Sequence, residues 1–75
     1  MATFNDLPAS KKFQLLSGIY DTMKRHKRDY GYMGFDGKKM QFSDNKFEGC
    51  TIIHIKTLES TCRLLNTGAD VIIGD

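Results

Sequence analysis

Tyr30-Gly31-Tyr32-Met33-Gly34-Phe35-Asp36-Gly37-Lys38-Lys39-Met40-Gln41-Phe42-Ser43 is the stretch on which the fold turns. Two alternating runs flank Asp36-Gly37. Asp-Gly between such runs favours a two-residue type I′ hairpin turn, whose central residues both need positive φ. That loop length predicts Phe35 opposite Lys38, Met33 opposite Met40 and Gly31 opposite Phe42. Directly opposed residues share one side of a sheet. Met33, Phe35, Met40 and Phe42 therefore gather on one face. Tyr30, Tyr32, Lys39, Gln41 and Ser43 gather on the other, which is open to water or to a partner.

The apolar face needs a cover, and the residues upstream supply it. Phe13, Leu16, Tyr20 and Met23 recur at helical spacing, with Leu15 and Ile19 widening the stripe and Lys11, Gln14, Asp21, Lys24 and Arg25 opposite. The spacing predicts a helix from about Leu7 to Lys27, with Asp6 as N-cap and Pro8 in the first turn, ended by Gly31 and the aromatic alternation. Phe13, Leu16, Ile19, Tyr20 and Met23 are expected to pack on Met33, Phe35, Met40, Phe42 and Ile53.

Downstream, residues 44–49 read as a loop. Cys50-Thr51-Ile52-Ile53-His54-Ile55 is a β-branched run, expected to be a strand with much of both sides covered. Thr57 is placed to cap a second helix over residues 58–65, with Leu58, Cys62 and Leu65 inward and Gly68 as its left-handed stop. Val71-Ile72-Ile73 suits a short last strand. The expected fold is α+β in two layers, one domain over residues 1–75. A small antiparallel sheet of three or four strands packs on the long N-terminal helix plus a short second helix, in the order α-β-β-β-α-β.

A chain of 75 residues with 40% apolar and 27% charged residues suits one small globular domain. Met1–Leu7 lacks the basic start and apolar run of a signal peptide, and no apolar stretch approaches a membrane span. Cys50 and Cys62 are too few for a disulfide framework and read as reduced thiols of a cytoplasmic protein, with one Cys50–Cys62 disulfide as the alternative. Charge is uneven. Residues 1–39 carry eight Lys/Arg and four Asp/Glu, and residues 40–75 carry three and five, giving a basic and a mildly acidic end.

Arg28-Asp29-Tyr30-Gly31-Tyr32-Met33-Gly34-Phe35 resembles the basic-Gly-aromatic-Gly-aromatic signature of RNA-recognition-motif proteins and the similar strand of cold-shock domains, over eight residues. The resemblance implies that Tyr30 and Tyr32 stack on bases. Asp29 stands where the signature has glycine, and residues 1–7 supply no first strand with a companion aromatic signature. The run Lys24-Arg25-His26-Lys27-Arg28 can meet phosphates, or can complement the dipole at the helix C-terminus.

Leu64-Leu65-Asn66-Thr67-Gly68-Ala69-Asp70-Val71 resembles the catalytic loop of retroviral aspartic proteases. Asn66 stands in place of the aspartate, and an amide cannot act as general base. Asn-Thr-Gly is also an ordinary helix exit. Cys50, His54, Cys62 and His26 are candidate zinc ligands without any Cys-x-x-Cys pair. Cys50 has no helix N-terminus beside it to lower its thiol pKa.

These readings converge on a small non-enzymatic module without cofactor or metal. It is expected to act through a protein partner, in the manner of a phage-type inhibitor or an adaptor. The partner-binding surface comprises Tyr30, Tyr32, Lys39, Gln41, Arg25, Arg28 and Lys24, since tyrosine and arginine are enriched at contact surfaces. The alternative is single-stranded nucleic-acid binding by the same face.

Overall fold

The computed structural model describes residues 3–73. A 3₁₀ turn (Phe4–Asp6) leads into α1 (Ala9–Arg25), followed by β1 (Tyr30–Phe35), β2 (Met40–Ser43), β3 (Thr51–His54) and α2 (Ile55–Asn66). The strands form one antiparallel sheet in the order β2-β1-β3. The Cα extents are 28 × 27 × 17 Å, and the short one is the depth of one sheet plus one helix layer.

The α1 stripe does what its spacing requires. Leu16, Ile19 and Met23 are buried together with Leu58 and Leu65 of α2, Met33 of β1 and Ile53 of β3. Phe13, Tyr20, Met40, Phe42 and Cys62 pack around this cluster. Phe4 meets Phe35 edge to face, with ring centroids 6.1 Å apart. Gly31 is fixed by close approach: a Cβ there would run into the Phe42 ring, which lies over the glycine on the core side.

The hairpin differs from the expected one in its turn. Phe35 pairs with Met40 and Met33 with Phe42, so residues 36–39 form a four-residue loop rather than a two-residue type I′ turn. The Asp36 carboxylate accepts the N–H groups of Lys38 and Lys39, both at 2.9 Å. This local turn leaves positive φ to Gly37 alone, at 100°. The same two bonds, Lys39 first, hold the Asp36 carboxyl below its usual range. The register moves by two residues, an even number, so the division of side chains between the faces survives. Lys39 leaves the strand and joins the loop.

Helix ends also differ from expectation. Asp6 does not cap α1; its carboxylate accepts the N–H of Thr3 at 3.1 Å within the 3₁₀ turn, and Pro8 stands at the N-cap. The helix ends at Arg25, two residues before the expected Lys27, and the left-handed residue that stops it is Lys27 rather than Gly31. Lys27 adopts φ 56°, its N–H donates to Lys24 C=O at 3.2 Å, and Arg28 N–H donates to Met23 C=O at 2.9 Å. This pair of bonds closes a helix around a left-handed residue, usually glycine. The second helix closes in the expected way, with Gly68 at φ 93° and bonds from Gly68 and Ala69 N–H to Leu65 and Leu64 C=O. At its other end, α2 starts at Ile55 without an intervening loop, so Thr57 lies inside it. Ile55 N–H donates to Asp29 C=O at 2.8 Å, tying the helix start to the entry of β1.

Two expectations about the sheet fail. β3 is an edge strand, and helices cover only one of its sides, so Ile52 and His54 are exposed on the other. Residues 71–73 are extended but form no strand. Side chains satisfy their backbone instead: the Asn5 amide accepts from Ile73 N–H at 2.9 Å and donates to Ile73 C=O at 3.0 Å. Lys12, fully buried, donates from Nζ to Val71 C=O at 2.7 Å and to the Asp70 carboxylate at 2.9 Å.

Two outcomes are expected. Lys27→Gly should stabilise the domain by about 0.5–1 kcal/mol in urea melts, because a left-handed backbone strains any residue with a Cβ; a loss would show that α1 ends differently in solution. Hydrogen bonding by Lys12 lowers the Asp70 pKa from its ordinary 3.8. A lowered carboxylate stabilises above its unfolded pKa and loses that contribution as pH falls through the folded one. Asp70→Asn should therefore weaken the domain near neutral pH, and the gap to wild type should close below about pH 3.8. A gap independent of pH would exclude this charge contribution.

Candidate functional site

Strand alternation sends Tyr30 and Tyr32 away from the helices, and the pairing sets their neighbours. Tyr30 opposes His54 of β3, while Tyr32 lies between Ile52 of β3 and Ser43 of β2. The Tyr30 and Tyr32 rings meet edge to face with centroids 6.1 Å apart, and the His54 ring lies 6.2 Å from that of Tyr30. Tyr30 is 41% exposed and Ile52 49%. The uncovered face thus presents an apolar strip across the two neighbouring strands β1 and β3.

Arg28 frames one end. Its guanidinium sits 5.4 Å from the Tyr30 ring centroid, and its Nε lies 3.6 Å from the Asp44 carboxylate. Such a cation–ring contact contributes about 0.5–1 kcal/mol at an exposed site. It also presents the flat guanidinium beside the aromatic strip. At the other end, Phe47 from the loop after β2 folds over Gly34, where a Cβ would come within 3.0 Å of its ring.

The proposed contact residues do not all meet. Tyr30, Tyr32 and Arg28 come together. Gln41 opposes Gly34 on the same face, toward the hairpin end. Lys39 sits in the hairpin loop, a β1 length from Tyr30, roughly 17 Å at about 3.3 Å per residue. Arg25 pairs with Asp21 one turn back along α1, and Lys24 lies 5.9 Å from the Tyr20 ring centroid. The basic run therefore disperses around the end of the helix.

Ile52, His54, Phe47 and Asp44 belong to the face but were not among the expected residues. For Phe47 a signal was present: glycine inside a strand, here Gly34, marks a close approach. Ile52 and His54 alternate with buried Ile53, but whether an alternating strand is covered on both sides depends on the number of layers.

The candidate metal ligands are separated. His54 stands beside Tyr30, Cys62 lies on α2 behind the sheet, and both cysteines are free. No group of three His, Cys, Asp or Glu side chains suited to a metal occurs among the described residues. A shallow groove of about 270 Å³ runs between the helices, lined by Phe13, Tyr20 and Cys62 and edged by Glu59 and Arg63. Burial raises the Cys62 thiol pKa, which keeps it protonated and weakly nucleophilic at neutral pH. Asn66, in the protease-like stretch, is the last residue of α2, and Gly68 beyond it closes the helix. No helix among the described residues is long and apolar enough to cross a membrane.

Comparison with protein-family models, with curated proteins and with solved structures finds no match to this chain.

Proposed function

We propose that this chain is a small non-enzymatic binding module that engages a protein partner through the sheet face built from Tyr30, Tyr32 and Ile52. The carrying observation is that helices cover one side of the sheet and leave this aromatic and aliphatic strip exposed on the other. Exposed apolar strips rimmed by polar groups are the usual substance of protein interfaces, with tyrosine and arginine as anchors. Arg28 and His54 supply the polar rim beside the strip, and a regulatory inhibitor or adaptor needs no more chemistry than this.

Single-stranded nucleic acid is the second reading, favoured by the two tyrosines and the neighbouring Arg28. Three observations weigh against it. The tyrosine rings meet edge to face, so they form no flat platform for consecutive bases. Arg28 already lies over the Tyr30 ring and faces Asp44, which offsets its charge toward a phosphate. The remaining basic candidates do not converge on the strip.

The double variant Tyr30→Ser with Tyr32→Ser tests the reading. Affinity capture from nuclease-treated lysate should recover a protein on wild type and not on the folded variant. The affinity for that protein should fall at least about tenfold, or about 1.4 kcal/mol. Binding should change little between low and moderate salt, because apolar burial is insensitive to screening. Recovery of nucleic acid alone, with affinity falling steeply in salt, would establish the second reading instead. An unfolded variant would place these tyrosines in the core, and unchanged protein binding by a folded one would move the working surface elsewhere.

A further inference from the structure

The segment 70–73 is bound to the rest of the chain as a peptide ligand is bound to a receptor. It forms no strand pairing. Its exposure alternates: Val71 and Ile73 are half-buried against the core, while Ile72 between them is 71% exposed. Alternate side chains inward with main-chain bonds to the receptor is the pattern by which extended peptides are recognised. Here side chains make those main-chain bonds. Asn5 brackets the N–H and C=O of Ile73, and Lys12 takes the C=O of Val71.

Lys12 gives the site its charge preference. It extends the apolar stripe of α1 one turn before Leu16, and its side chain has no exposure. A buried ammonium is costly unless paired. Its partners among the described residues, the Asp70 carboxylate and the Val71 carbonyl, both belong to the segment. Asp70 itself is 61% exposed, so its carboxylate faces water as well as Lys12. The chain reaches the segment through Gly68 at φ 93° and exposed Ala69, a short link from the end of α2.

We propose that the wall formed by Asn5 and Lys12 is a binding site for an extended peptide of the form Asp-aliphatic-any-aliphatic, and that residues 70–73 occupy it in cis. The site is separate from the open sheet face and does not depend on its function. Lys12 selects the carboxylate, the apolar edge of the core takes the two alternate aliphatic side chains, and Asn5 reads the backbone. None of these contacts requires covalent connection to the receptor. The same segment from a second copy of the chain makes the same bonds once the cis segment is displaced. The cis segment acts as a competitor held at high effective concentration by its short link.

The test uses the full chain and a fluorescein-labelled peptide copying residues 67–73. Asp70→Lys sets two cations against each other and should loosen the cis segment. Fluorescence polarisation should show at least about tenfold tighter peptide binding to this variant than to wild type, since apparent affinity scales with the fraction of open site. Replacing the aspartate of the peptide by lysine should abolish binding. Asp70→Asn, which removes the charge without adding one, should show a smaller gain of the same sign and serves if Asp70→Lys fails to fold. Equal binding by wild type and a folded variant, no binding up to about 1 mM, or indifference to the peptide aspartate would overturn the proposal.

Discussion

Two helices cover one face of a three-stranded sheet and cannot cover both, and the rest of the molecule is arranged around that limit. The stripe Leu16, Ile19 and Met23 settles against Met33 and Ile53, and α2 closes the layer with Leu58 and Leu65. Gly31 lets the Phe42 ring approach the central strand closely. With the core satisfied on this side, period-two alternation delivers Tyr30, Tyr32, Ile52 and His54 to the other. A domain of this size buries too small a share of its surface to hide them as well.

That alternation is why much of the fold was legible from the residues. Two faces can be assigned from the parity of positions, and parity survives any even error in register. The hairpin register differs from the expected one by two residues, because the Asp36 carboxylate bonds forward to Lys38 and Lys39 instead of admitting the mirror-image turn. Met33 and Phe42 nevertheless stayed on the core side. The Gly68 helix exit was equally legible, since glycine there has a single local reason to be present. Lys27 at the end of α1 was not, because a lysine with positive φ leaves no mark in the sequence.

What escaped the sequence depended on neighbours far along the chain. A β-branched run such as residues 50–55 reads the same whether one or two layers enclose it, and here the described residues form a layer on one side alone. Val71-Ile72-Ile73 has strand composition, yet its backbone bonds go to Asn5 and Lys12 near the other end of the chain. Lys12 sits in line with the apolar stripe, four residues before Leu16, but only the fold supplies the carboxylate that makes its burial tolerable. Of the proposed contact surface, the strand tyrosines were legible through alternation. The dispersal of Lys24, Arg25 and Lys39 was not, because it depends on where α1 ends and how the hairpin turns.

The fold and the proposed binding face both depend on the division of the sheet into a helix-covered and an uncovered side, and proton–proton Overhauser contacts in solution measure that division directly. The ring protons of Tyr30 should show contacts to those of Tyr32 and His54, and Tyr32 should show contacts to Ile52. The methyl groups of Leu16 and Ile19 should see Met33 and neither tyrosine ring. Contacts from Tyr30 or Tyr32 to those methyls would place the tyrosines in the core and contradict the account.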